Sequence, residues 1–203
     1  MASVLQVATI KDQGGNANAI EIANSSANVT INNLAAGTIG SAVTGFTGVK
    51  ILDQWRLTTT LQGVANPISS NLEKTDTASQ GTFGSAMTQS SGIFTFPMTG
   101  IYLLFFNSTH NLPSGEVRYI GPSINKVISG SASILSESYV HINNAQASTT
   151  YQASSIMSTF DCTDTSTDKV SFSVLELSDT TTYTMGSTNY NFTSMTFVRL
   201  GDT

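Results

Sequence analysis

Hydrophobic and polar positions alternate through much of the chain after residue 50, and this period of two predicts β-strands. The run Val-Ser-Phe-Ser-Val at 170–174 predicts a strand with one buried face and one solvated face. Segments rich in glycine, proline, serine and asparagine separate the strand-like runs and predict turns. We place the strands near 51–60, 92–96, 101–109, 117–124, 134–142, 149–160, 169–177, 181–185 and 192–200.

One predicted strand is apolar on both sides. The run Ile-Tyr-Leu-Leu-Phe-Phe at 101–106 points large apolar side chains to both faces of the strand. One face can belong to the core of the chain itself. Because the sequence has almost no helical periodicity that could cover the other face, we expect a second subunit to cover it.

The first 48 residues have shorter strand-like runs and fewer large side chains than the rest of the chain. Two short strand-like runs, at 19–23 and 28–32, are separated by Asn-Ser-Ser, and large side chains are too few to fill a core. We therefore expect 1–48 to be an attachment or oligomerisation segment that gains order by pairing with other chains. The alternative is a floppy tail. Residues 49–203 are expected to form the folded domain.

Composition supports an all-β fold. Charged residues make up 10% of the 203 residues, against about 25% in typical soluble domains. Serine, threonine and asparagine fill the polar positions instead, a bias that favours strands and turns over helices. Several short strands without intervening helices predict an antiparallel sandwich or barrel.

Charge and cysteine content exclude several classes of function. The formal net charge of −5 leaves no basic surface for phosphates, so we expect no nucleic-acid binding. No run approaches the ~18 apolar residues of a membrane span, and the N-terminus lacks a standard secretion signal, so membrane insertion is not expected. Cys162 is the only cysteine, which excludes an intrachain disulfide and predicts a buried, inert thiol.

A motif in the central part of the chain resembles a known family. The pattern Gly92-x-Phe94-x-x-Pro97-x-x-Gly100-x-Tyr102 is similar to the signature of globular complement 1q domains, which belong to the tumour-necrosis-factor-like jelly-roll superfamily. The upstream run at 81–87, followed by the motif, looks like the version found in structural proteins of marine bacteriophages. Asp-Lys-Val-Ser-Phe at 168–172 and Asn-Phe-Thr-Ser-Met-Thr-Phe at 191–197 resemble two later strands of the family.

The resemblance covers about 50–200 and implies a ten-stranded jelly roll that forms tight trimers, with the aromatic strand facing the threefold axis. No collagen-like repeat precedes it, and Leu72 and Ser194 replace residues that relatives often have as Trp and Gly. Together with the two-faced strand, the resemblance indicates a set of trimer contacts. These are Ile101, Tyr102, Leu104, Phe106, Trp55 and Phe197.

Catalytic and metal-binding signals are weak. The sequence contains no nucleophile elbow, no His-Glu-x-x-His motif and no nucleotide-binding glycine pattern. His110 and His141 fall at the ends of predicted strands without a nearby cysteine or paired carboxylate, so we do not expect them to be catalytic. Asp161, Asp164 and Asp168 are candidate calcium ligands, but their spacing does not match a loop that wraps one ion, and a solvated turn is the simpler interpretation.

Trp55 admits three interpretations: a core residue, a subunit contact or a platform for carbohydrate stacking. We favour the core or the subunit contact.

These observations predict a homotrimeric, non-enzymatic structural protein on the exterior of a bacteriophage virion. Residues 1–48 would attach to other virion proteins, and a jelly-roll knob at 49–203 would meet a glycan or protein of the host surface, without a cofactor. A tail fibre and a capsid decoration, cement or head-fibre protein without a receptor role both remain open. Further alternatives are a calcium-dependent, lectin-like carbohydrate-binding module and a polysaccharide-degrading enzyme, which would need two carboxylates in a groove.

Overall fold

A computed structural model describes residues 49–144, 148–176 and 181–203, and within these ranges the protein is built from β-strands. They belong to one compact unit, Thr47–Thr203. The predicted attachment segment, 1–48, lies outside the described residues. No helix among the described residues has the length and apolar character needed to cross a membrane. The strands are β1 (Ile51–Leu57), β2 (Leu61–Gln62), β3 (Leu72–Lys74), β4 (Thr88–Ser90), β5 (Ile93–Thr95), β6 (Gly100–Leu112), β7 (Gly115–Ile128), β8 (Ser131–Glu137), β9 (Val140–Asn144), β10 (Thr150–Cys162), β11 (Asp168–Glu176), β12 (Tyr183–Thr184) and β13 (Ser194–Gly201).

The strands form two antiparallel sheets that pack face to face. In the larger sheet, β12 and β13 pair with one edge of β6, and β10 pairs with its other edge. The order of strands along the sheet is β2-β12-β6-β13-β1-β3. The smaller sheet has the order β4-β5-β11-β7-β8, with β9 also paired to β7. Strands that are distant in sequence lie next to each other, as expected for a jelly roll. The all-β antiparallel sandwich predicted from the sequence is confirmed.

The core lies between the sheets and is dominated by aromatic side chains. Phe94 and Phe172 of the smaller sheet contact Phe197 of the larger sheet, with ring centroids 5.1 Å and 5.6 Å from that of Phe197. Further along the sandwich, Phe96 stacks on Phe160 at 5.1 Å. All five are almost completely buried, so each contributes about 1.5–3 kcal/mol through removal from water.

The glycines of the sequence motif occupy positions that only glycine tolerates. Gly92 has a φ of 78°, and a Cβ there would lie 2.1 Å from the carbonyl oxygen of Ile68. Gly100 has a φ of 140°, and its Cβ would lie 2.4 Å from the carbonyl oxygen of Gly201. The motif therefore marks two close approaches of neighbouring segments, one at the turn before β5 and one at the start of β6.

Most predicted strands occur, and the differences are local. The predicted strand at 134–142 is two strands, β8 and β9, because Ser138 and Tyr139 interrupt the pairing. The sequence pattern missed β2, β3 and β4, which have two or three residues each and are too short to show a period.

The predicted solvated face of β11 is wrong. Ser171 and Ser173 are buried, at 2% and 0% exposure. The Ser173 hydroxyl donates to Asn66 Oδ1 and accepts from Asn125 Nδ2, each over 2.8 Å. The segment around Asn66 lies alongside β11, where Ala65 pairs with Val174. Ser173 is therefore part of a buried hydrogen-bond network, which the alternation alone does not reveal.

Candidate functional site

The outer face of the larger sheet carries a group of apolar side chains, interspersed with the polar residues Gln54, Thr196, Thr159 and Asp161. Residues directly opposite each other on paired strands share a face. The register pairs Leu52 with Val198 and Val198 with Leu103, and in the next row on this face it pairs Phe105 with Met157. We call this surface the open apolar face. Its residues are Ile101, Leu103, Phe105, Leu52, Val198, Met157 and Phe83.

These side chains remain accessible in the single chain. Phe83 is 59% exposed and Met157 63% exposed, while Leu103 and Phe105 are half-buried. In the next row on one side, Asn107 and Ser155 are exposed polar residues, while Arg56 and Ser194 are buried. The arrangement of an apolar centre with a polar border is typical of a protein contact surface.

The structure corrects the choice of face on β6. Tyr102, Leu104 and Phe106, which the sequence analysis assigned to the trimer contact, have 0% exposure and lie in the core. Phe197, assigned to the same contact, is also fully buried and packs on Phe94. Because the same chain covers these four side chains, they cannot reach a partner. Of the six predicted contact residues, Ile101 is the one that lies on the open apolar face.

Trp55 points toward the core side of the larger sheet. Its ring meets Phe94 edge to face with centroids 5.5 Å apart. The indole Nε1 donates to Asp53 Oδ2 over 3.1 Å, and the same carboxylate oxygen accepts from the backbone N–H of Met87 over 2.8 Å. Asp53 has 0% exposure, and Lys74 Nζ lies 3.5 Å from its other oxygen. Trp55 is therefore a packing residue whose polar atom is already satisfied.

The two histidines lie in different surroundings, one in the core and one on the surface. His110 is fully buried, 2.8 Å from Ser108 Oγ and 3.1 Å from Thr184 Oγ1, and burial lowers its pKa from 6.5 to about 4. A Ser-His pair sealed in a core cannot meet a substrate. His141 is exposed and lies 2.7 Å from Glu116 Oε1.

The aspartates of the loop between β10 and β11 are occupied by the loop itself. Asp168 Oδ2 accepts from the backbone N–H and hydroxyl of Thr163 and from the backbone N–H of Asp164, at 2.9–3.0 Å. Burial acts to raise the pKa of Asp168, but these hydrogen bonds outweigh it and the pKa is lowered. Hydrogen bonds from Ser166 lower the pKa of Asp164. Within the described part of the chain, no three His, Cys, Asp or Glu side chains are grouped to hold a metal ion.

Cys162 is a buried free thiol, as predicted. Burial raises its pKa to about 11, and the nearby Asp168, Asp161 and Asp164 carboxylates act in the same direction. The thiol therefore stays protonated and unreactive at neutral pH.

Sequence reasoning missed most of the open apolar face. Met157 directly follows Ile156, so β10 also carries apolar side chains on both faces, and this signal was available. Leu52 follows Ile51 and Val198 follows Phe197, so β1 and β13 carried the same signal, whereas Phe83 has no apolar neighbour in the sequence. That these residues share one face depends on the pairing of β1, β13 and the segment at Phe83.

No family model matches the sequence, and no curated protein matches it. Among solved structures, the chain is similar to Eiger TNF from S. frugiperda, with a TM-score of 0.55 and 12% identity over 75% of this chain and 94% of that chain. It is also similar to murine APRIL at pH 5.0, with a TM-score of 0.52 and 14% identity over 74% of this chain and 98% of that chain. The protein has a tumour-necrosis-factor-like jelly-roll fold.

The TNF-like jelly roll was predicted from the sequence motif and is confirmed. At this level of identity the likeness establishes the fold alone. The closer resemblance to complement 1q domains and to phage structural proteins stays a prediction. So does the trimer.

Proposed function

We propose that the protein is a non-enzymatic structural protein of a bacteriophage virion, a homotrimeric knob displayed on the exterior of the particle that contacts the host surface. In this proposal residues 1–48 attach the knob to other virion proteins. The TNF-like fold and the sequence resemblance to phage structural proteins support it. The observation that carries the self-association is the open apolar face.

The open apolar face is costly in a free monomer. Each large apolar side chain that a contact removes from water contributes about 1.5–3 kcal/mol when fully buried. Leu103, Phe105 and Val198 lie on adjacent strands at the centre of the group, where a partner would exclude water most completely. A second copy of the chain is the partner that is always present at matching concentration.

Threefold symmetry would close the assembly into a ring in which every contact surface is used. In a ring of three copies, each chain presents its open apolar face to the next one, and no copy is left with an unpaired contact surface. The exposed Met157 on β10, the edge strand beside β6, lies where a neighbouring copy would approach. Three copies of a weak surface contact would then act together on the host surface and gain avidity.

Two measurements test the proposal. Light scattering of the full chain should give a mass three times that of the 21.4 kDa chain. Imaging of labelled protein on intact virions should place it at the outside, and its position separates a tail fibre from a capsid decoration. A stable monomer would refute the trimer. Absence from purified virions would refute the virion role.

A further inference from the structure

A cleft lies on the outer face of the larger sheet, away from the open apolar face. The register pairs Asn111 of β6 with Tyr151 of β10 on one side and with Tyr183 of β12 on the other. The two tyrosines therefore flank the amide on one face, about 10 Å apart, since neighbouring strands are about 4.8 Å apart. Asn111 is six residues from Phe105 along β6, roughly 20 Å away.

The cleft is a shallow, open depression with a volume of about 340 Å³, at the lower end of the range of about 300–1,000 Å³ that small-ligand sites occupy. Among the described residues, hydroxyl groups, an amide, aromatic rings and a thioether line it, and none of these lining side chains is charged. The lining residues are Thr60, Asn111, Pro113, Thr149, Tyr151, Tyr183 and Met185.

The amide at the centre of the row is incompletely paired. Asn111 Nδ2 donates to the thioether sulfur of Met185 over 3.0 Å, a weak acceptor. Asn111 Oδ1 is buried and accepts no hydrogen bond from the described residues. An unpaired buried carbonyl oxygen is unfavourable. Rotation of the amide about its Cβ–Cγ bond would exchange this oxygen with Nδ2, which lies beside Met185 of the cleft lining, and a ligand hydroxyl could then donate to the oxygen.

We propose that this cleft binds an uncharged saccharide ring, an inference that rests on the host-surface role proposed above. The C–H groups on one side of a sugar ring pack against the face of a tyrosine, and Tyr151, at 58% exposure, presents its ring to solvent. The ring hydroxyls exchange hydrogen bonds with the Asn111 amide and with the hydroxyls of Thr60 and Thr149. Because none of the described lining residues is charged, we expect a neutral ligand that binds without calcium.

Saturation-transfer NMR on the full chain tests this inference. The probes are the neutral disaccharides maltose, lactose, cellobiose and chitobiose, with sialyllactose as an acidic comparison, all in the presence of EDTA. At least one neutral disaccharide should bind. Tyr151→Ala should weaken that binding by about tenfold, because it removes the exposed stacking ring, and Tyr151→Phe should retain most of it.

The matched control is Tyr190→Ala, which removes a tyrosine that is 66% exposed and lies outside the cleft. It should leave saccharide binding unchanged. The inference is overturned if no neutral disaccharide binds at millimolar concentration, if binding requires calcium, if only sialyllactose or only a polypeptide binds, or if Tyr151→Ala and Tyr190→Ala have equal effects. Light scattering on the same samples keeps the two proposals apart. A trimer that binds no saccharide overturns the cleft alone, and a monomer that binds one overturns the trimer alone.

Discussion

Asp53 shows how one buried carboxylate can organise several segments. It accepts hydrogen bonds from the Trp55 indole and the Met87 backbone, and Lys74 lies close to its second oxygen. Asp53→Ala would leave these donors without an acceptor in a place that water cannot reach. We expect a loss of about 2–4 kcal/mol in the free energy of unfolding, measured by urea denaturation.

Asp161→Ala provides the comparison for that measurement, since Asp161 is exposed on β10. The comparison variant should stay within about 0.5 kcal/mol of the wild type. Equal effects of the two substitutions would contradict the structural role of Asp53.

His110 makes the stability of the protein depend on pH. Its pKa is about 4 in the folded chain because burial opposes the charged form, and about 6.5 in the unfolded chain. Between these values the unfolded chain binds a proton that the folded chain does not, so stability falls as the pH falls from 6.5 to 4. The whole difference is about 3 kcal/mol.

Urea denaturation between pH 4.5 and 7 checks this dependence. His110→Gln should be less stable than the wild type at pH 7 but should lack most of the slope. The lowered pKa values of Asp164 and Asp168 add a loss of stability of the same sign, but only below about pH 4. Identical slopes in wild type and variant would show that His110 does not carry the effect.

At the scale of the element, alternate residues of β6 point to the core and to the open apolar face, so the proposed assembly can be tested separately from folding. Leu104 points into the core and Leu103 points to the open apolar face. Leu104→Asp buries an unpaired charge and should prevent folding. Leu103→Asp should leave the far-ultraviolet circular dichroism spectrum unchanged and convert the trimer into a folded monomer, as measured by light scattering.

Leu103→Ala is the milder control, because it shortens the side chain without adding a charge. It should weaken the trimer less than Leu103→Asp. A Leu103→Asp variant that remains trimeric would show that copies do not meet at the open apolar face.

The strands of this protein differ in how well their own sequences predict them. Long strands such as β6, β7 and β10 show their period directly, because many positions alternate. β2, β3 and β4 have two or three residues each, and they exist because neighbouring strands offer hydrogen-bonding partners. The choice of face on β6 failed for a related reason. A strand that is apolar on both sides gives no local sign of which side its own sheet will cover.

At the scale of the whole molecule, the chain is proposed to divide into an attachment segment and a knob. Deletion of residues 1–45 should leave a folded trimer, since the compact unit begins at Thr47. The truncated protein should keep the melting temperature of the full chain and fail to enter phage particles. Circular dichroism, light scattering and the protein content of purified virions measure these outcomes. Unfolding of the truncated chain would contradict the boundary.

The sequence predicted part of the candidate site. Two apolar faces on one strand indicated a contact surface, and Ile101 lies on the open apolar face, where its role as a contact stays a prediction. The other predicted contacts lie on the core side of the larger sheet. The cleft gave no sequence signal, because Asn111, Tyr151 and Tyr183 come from three separated strands and meet only through the register.

The sequence by itself determined the all-β sandwich, because period-two alternation and turn residues act locally. It also determined the turns at Gly92, before β5, and at Gly100, at the start of β6, where any larger residue would clash. The tertiary structure decided which face of β6 is buried, that the serines of β11 are also buried, and which residues share the open apolar face. These depend on which strands become neighbours, and that choice is set by packing and hydrogen bonding between segments far apart in the chain.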